Sequence, residues 1–164
     1  MRKIIIISLV ALLFTIGCQH DMLRLEKGNL TATQRVLIAG TTSEFKQNVV
    51  TRVMEKLGTV DYYFKIIGLD QLDKEETEQY GAILLVATFA AGQIDGRVTQ
   101  FLQKDTTSQK VIVFYTYGSE DAGIPDWAKP DIKVDAVTSA SLPNRVEERA
   151  DELVILIKNR FNSQ

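Results

Sequence analysis

Four short segments of this chain concentrate hydroxyl, glycine and aromatic residues: Gly40–Ser43, Thr88–Gln93, Thr116–Asp121 and Thr138–Ser141. Hydroxyls and free backbone N–H groups at the start of a helix can hold a phosphate without a cationic side chain. Aromatic faces beside them can stack on a planar ring. Turns and helix caps favour the same residue types, so each segment taken singly also has a purely structural explanation. The first segment runs into Glu44, and Thr41-Thr42-Ser43-Glu44 fits a capping box with Thr41 as N-cap. A carboxylate there opposes a phosphate by on the order of 1 kcal/mol per charge pair at 4 Å, even in bulk water.

Other chemistries lack their residues. His20 is the single histidine and lies near the N-terminus, which excludes a Ser-His-Asp triad and a histidine metal site in the domain. Neither GxxxxGK[ST] nor GxGxxG occurs. Glu120 and Asp121 read as a solvated acidic turn, so no catalytic residue and no metal ligand is assigned. With 19 Lys and Arg against 21 Asp and Glu, and no basic cluster, the chain has no electrostatic reason to bind nucleic acid.

The segments must be positioned by the elements between them. Arg35–Ala39 is a short apolar run ending at Gly40. Phe45, Val49, Val50, Val53, Met54 and Leu57 then mark one helix face, closed by Gly58. Tyr62–Ile67 is a second strand, and the acidic stretch Asp70–Gln79 suits a short solvated helix. Ala82–Ala87 and Lys110–Tyr115 are near-continuous apolar runs, as in strands covered on both faces. Ile94, Val98, Phe101 and Leu102 give a helical stripe between them. Ile132–Val137 reads as an edge strand, and Val146 to Phe161 as a last amphipathic helix opened by Pro143 and Asn144. The expectation is a doubly wound α/β domain with a five-stranded parallel sheet in the order 2-1-3-4-5, its ligand site beyond the carboxyl ends of the strands.

At the N-terminus, Arg2 and Lys3 precede the apolar run Ile4–Ile16, and Gly17-Cys18 follows; Cys18 is the single cysteine. The pattern resembles a bacterial lipoprotein signal. That resemblance implies cleavage after residue 17, acylation of Cys18 by chains such as palmitate, and a lipid-anchored location outside the cytoplasm. Residues 1–17 are then signal, 18–34 a lipidated tether and 35–164 the domain. Fully extended, Gln19 to Gln34 reaches about 55 Å at roughly 3.3–3.6 Å per residue. Packing of Met22–Leu25 onto the domain is the alternative.

The order of Val36-Leu37-Ile38-Ala39-Gly40-Thr41-Thr42-Ser43, then Tyr80 through Gly92, then Val111 through Ser119 resembles the flavodoxin-like proteins over residues 35–161. The resemblance implies a noncovalent FMN, electron transfer with a redox partner protein, and FMN contacts from Thr41, Thr42, Ser43, Thr88, Phe89, Gly92, Tyr117 and Gly118. Thr42 matches the first Thr of the SxTGNT phosphate loop, while Ser43, Glu44 and Phe45 replace its Gly, Asn and last Thr. Phe89 and Tyr117 match the ring-flanking positions, with Trp127 more loosely placed; either could also be a buried loop anchor. Asp135 to Ser141 is similar to the DxxTGAT segment of extracytoplasmic FMN-binding domains, which implies Ser141 as a site of covalent flavin. A flavin-free interaction or scaffold lipoprotein on the same fold is the other reading.

Overall fold

The computed structural model describes residues 20–90, 92–104, 108–118 and 134–162. The described residues form seven strands: β1 (Leu25–Gly28), β2 (Gln34–Gly40), β3 (Tyr62–Ile67), β4 (Ala82–Ala90), β5 (Gln93–Ile94), β6 (Val111–Tyr117) and β7 (Asp135–Ala140). They form one sheet in the order β1-β3-β2-β4-β6-β7, with β5 hairpinned onto β4. The five-stranded sheet expected from the sequence is therefore corrected to seven strands in this order. β1 pairs antiparallel with β3, Leu25 opposite Ile66 and Gly28 opposite Tyr63, while the pairings among β3, β2, β4, β6 and β7 are parallel.

Alternation along β4 explains why it is central. Ala82, Leu84 and Val86 face the layer of α1 (Glu44–Leu57) and α3 (Val146–Asn162); Ile83, Leu85 and Ala87 face α2 (Gly96–Lys104). All six side chains are buried, so neither face of the strand meets water. The acidic stretch Asp70–Gln79 forms two 3₁₀ turns, Leu69–Lys74 and Thr77–Gln79, in place of the expected helix. Buried Leu69 and Leu72 anchor them, and the Lys65 ammonium and the Tyr80 hydroxyl donate to Glu75 at 2.7 Å.

Residues 20–34 do not run free of the domain, which corrects the tether expectation for this part of the chain. The His20 carbonyl accepts from Thr42 N–H at 2.7 Å and Met22 N–H donates to the Gly40 carbonyl at 2.9 Å. Asp21 forms a bridge with Thr41, and Met22 is buried against the α1 layer. Backbone pairing holds the segment, and that pairing leaves little trace in side-chain pattern.

Helix α1 begins later than the capping-box reading has it. Thr41 is still paired into the sheet, its N–H donating to the Val86 carbonyl, so the N-cap falls on Ser43. The Ser43 hydroxyl accepts from Lys46 N–H at 3.3 Å. At the other end Gly58 takes φ +83 and donates to the Met54 carbonyl, as expected of a helix stop. Ser43→Ala is expected to cost about 1 kcal/mol by loss of this cap, measured as a shift in the denaturation midpoint.

Candidate functional site

The chain passes from β2 through α1 to β3 on one side, then crosses to β4 on the other. Strand order thus reverses between β2 and β4, and their carboxyl ends, with those of β6 and β7, frame a cleft of about 400 Å³. Gly40 is what lets β2 and β4 close at this point: a Cβ there would sit 2.4 Å from the Val86 carbonyl oxygen. The cleft is lined by Ser43, Glu44, Phe45 and Asn48 from the start of α1. Thr88 from β4, Thr116, Tyr117 and Gly118 at the end of β6, and Ser141 and Pro143 after β7 complete it. Its volume lies within the roughly 300–1,000 Å³ of small-molecule and cofactor sites.

Of the residues singled out in the sequence, Ser43, Thr88, Tyr117, Gly118 and Ser141 meet in this cleft. Ser141 is exposed at its rim, its N–H donating to the Tyr117 carbonyl at 3.0 Å. Thr41 lies beneath the cleft and is fully buried. Thr42 points away: its hydroxyl accepts from the Gln47 amide at 2.6 Å and it lines a separate groove with His20 to Leu25. Phe89 is turned inward onto the α2 layer, opposite Ile94 in the hairpin. Gly92 makes the hairpin turn with φ +78, a conformation that glycine adopts without strain. Cys18, Ser119, Glu120, Asp121 and Trp127 lie outside the described residues.

Below the cleft is a group that the sequence reading passed over. Lys46 is 1% exposed, and its ammonium donates to the Thr41 hydroxyl at 2.6 Å and the Thr88 hydroxyl at 2.5 Å. Burial pulls its pKa down to about 8, with the Asp95 carboxylate acting in the opposite direction. An ammonium can only donate, so both threonine oxygens accept and their own hydrogens are left for other acceptors. Thr88 lines the cleft, and its hydroxyl lies 3.4 Å from that of Thr116. The signal was present in the helix pattern: Lys46 sits three, four and seven residues before Val49, Val50 and Val53, on the buried face.

Asp95 itself is gripped by Arg97, with contacts of 3.0 and 2.7 Å, and the Arg97 guanidinium holds its carboxyl below the usual carboxylate range. Arg97 also reaches Asp21 at 2.7 Å, tying the N-terminal segment to the start of α2. His20 and Asp21 therefore close one side of the Gly40–Thr42 loop. They also consume the Thr42 N–H, one of the donors a phosphate loop would offer.

No protein-family model and no curated protein matches the chain. Its similarity lies in solved structures. Oxidised Flavodoxin 2 from Bacillus cereus superposes with a TM-score of 0.58 and 14% identity, over 77% of this chain and 99% of that one. Two-electron reduced flavodoxin from Megasphaera elsdenii gives 0.52 and 17%, over 75% and 98%. The metal-soaked Flv1 flavodiiron core from Synechocystis sp. PCC6803 gives 0.55 and 11%, over 82% of this chain and only 38% of that one. At such identities the likeness concerns architecture alone. The chain has a flavodoxin-like α/β fold with a mostly parallel sheet.

Proposed function

We propose that the protein binds FMN in the cleft at the strand-order reversal and takes part in electron transfer on a membrane surface outside the cytoplasm. The observation that carries the reading is the convergence of Ser43, Thr88, Tyr117, Gly118 and Ser141 on one cleft above a buried ammonium. These residues fit a flavin phosphate. The first turn of α1 supplies N–H groups and a positive dipole end. Lys46, acting through the Thr88 hydroxyl, offsets the Glu44 carboxylate that lines the same wall. Tyr117 offers an aromatic face to a planar ring. Once bound, the flavin would supply the redox chemistry, and the chain would set its potential through stacking and hydrogen bonding. The Cys18 lipid would hold this carrier at the bilayer, within reach of a redox protein partner.

The test is an absorbance spectrum of protein purified from its native membrane, read again after acid precipitation, with an FMN titration of any colourless preparation. Yellow supernatant supports noncovalent FMN; yellow pellet points to Ser141, whose hydroxyl stands at the cleft rim. Glu44→Gln is expected to tighten FMN about fivefold, the equivalent of about 1 kcal/mol of removed repulsion.

The flavin-free interaction module remains a second reading because one observation favours it. The Thr42 N–H is already bonded to His20 and Phe89 is folded inward, so the cleft offers fewer donors and fewer ring faces than the resemblance implied. A colourless protein that leaves FMN fluorescence unquenched decides for it.

A further inference from the structure

The N-terminal segment is fastened to the domain from its first described residue. His20 is bonded to Thr42, Asp21 to Arg97 and Met22 to Gly40, and Met22 is buried. Only Gln19 separates His20 from Cys18, and two residue steps span at most about 7 Å. A lipid on Cys18 therefore cannot leave the domain standing tens of ångströms off the bilayer. It brings the His20 end of the sheet to the headgroups.

From that end the β1 edge, antiparallel to β3, runs down the side of the sheet to Leu30 and Val60 and carries apolar surface along its length. Among the described residues the exposed large apolar side chains are Leu23, Leu25, Leu30, Val60 and Ile155, and all but Ile155 lie along the β1 edge. Leu23 is 88% exposed, Leu30 69% and Val60 77%. Val60 belongs to the same edge because its carbonyl accepts from the Asn29 amide at 3.2 Å. Beside Leu23 opens a groove of about 850 Å³, lined by Met22, Leu23, Leu25, Val50, Met54 and Ile66 among others. Scattered apolar side chains need no explanation, whereas a row of them on one edge marks a surface that is covered. Arg24 and Lys27 are exposed on the same edge, one of them beside Glu26, and suit anionic headgroups.

We infer that the β1 edge, from Leu23 to Leu30 with Val60 beside it, lies directly on the lipid surface that carries the Cys18 anchor. The inference rests on the lipoprotein reading. The contact covers the open backbone edge of β1, which would otherwise invite pairing with another strand. It also fixes the orientation of the domain, since the cleft opens at the strand ends next to His20.

The test uses the full lipidated protein in vesicles of phosphatidylethanolamine and phosphatidylglycerol, with the acyl mass on Cys18 verified first. An environment-sensitive fluorophore is placed through Leu23→Cys, Leu30→Cys or Ile155→Cys; the acylated Cys18 thiol cannot react. The expected result is a blue shift and quenching by lipid-borne quenchers at positions 23 and 30, and neither at 155 on α3. Solvent-like emission at all three positions, in protein whose acyl mass is present, overturns the docking while leaving the anchor intact. Absence of the acyl mass overturns both. A blue shift at position 23 or 30 that appears equally in detergent and grows with protein concentration assigns the edge to a second copy of the chain, and also overturns the inference.

Discussion

Lys46→Met is expected to stabilise the ligand-free protein at pH 7 while destroying its preference for a phosphorylated ligand. Lowering a lysine pKa from its ordinary 10.5 to about 8 means that the folded environment opposes the charged form by roughly 3 kcal/mol. Methionine fills similar volume without the charge. The substitution removes two hydrogen bonds, to Thr41 and Thr88, each contributing about 1 kcal/mol net. The difference favours the variant by about 1 kcal/mol. The pH dependence gives a sharper test. Below about pH 8 the lysine is protonated in both folded and unfolded chains, so its penalty is constant. Between about 8 and 10.5 the unfolded chain binds the proton and the folded chain does not, so wild-type stability rises with pH. That rise, roughly 3 kcal/mol over the whole window, exceeds the variant's advantage of about 1 kcal/mol, so in paired denaturant titrations the gap between wild type and Lys46→Met should close and then reverse. A variant less stable than wild type by more than 1 kcal/mol at pH 7 would mean that the ammonium is a structural clamp.

A cost of this kind at a strand-order reversal is the sort of local inconsistency that marks functional positions. It also shows where sequence reading reached and where it stopped. Runs such as Ala82–Ala87 and Tyr62–Ile67 were legible because a strand buried on both faces admits almost no polar side chain. The α1 face and its Gly58 stop were legible for the corresponding reason at period 3.6. β1 was not, since Leu-Glu-Lys-Gly is exposed along its whole length and is held by backbone bonds to β3. β5 is two residues long, below any periodicity. Composition put hydroxyls in the right loops, and the topology brought Ser43, Thr88, Tyr117, Gly118 and Ser141 together. Which way a side chain turns at a loop depends on where the sheet ends. Because the sheet continues through Thr41, Ser43 rather than Thr41 became the cap. Phe89, being within an extended β4, alternated inward. Lys46 was visible as a lysine at an apolar helix position, but its partners Thr41 and Thr88 lie on two other elements, five and 42 residues away.

Affinity for FMN should fall as pH rises through about 8, and affinity for riboflavin, which lacks the phosphate, should not. The charges facing Lys46 are the Asp95 carboxylate before α2, paired with Arg97, then Asp21 behind Arg97 on the N-terminal segment; Glu44 stands on the cleft wall of α1 itself. Among the described residues the Lys46 ammonium is hydrogen-bonded to the Thr41 hydroxyl just after β2 and the Thr88 hydroxyl of β4, with the Thr116 hydroxyl of β6 beside Thr88, and none of these titrates in this range. A phosphate monoester completes its second ionisation near pH 6, so it loses no charge between pH 7 and 10. The protein side must then supply the loss. At an effective dielectric of ~20, two unit charges ~5 Å apart attract by about 3 kcal/mol, so a neutral Lys46 forfeits up to about a hundredfold in affinity. A bound anion raises the lysine pKa, so the decline starts near 8 and proceeds by at most about tenfold per pH unit. In Lys46→Met, FMN should bind weakly and without this pH dependence, approaching riboflavin. Fluorescence titrations of both flavins from pH 6.5 to 10 on both proteins measure all four curves. An FMN affinity that stays flat in wild type, or a riboflavin affinity that falls in parallel, would remove Lys46 from phosphate recognition. The buried ammonium would then be an internal plug of the cleft, as a flavin-free module requires.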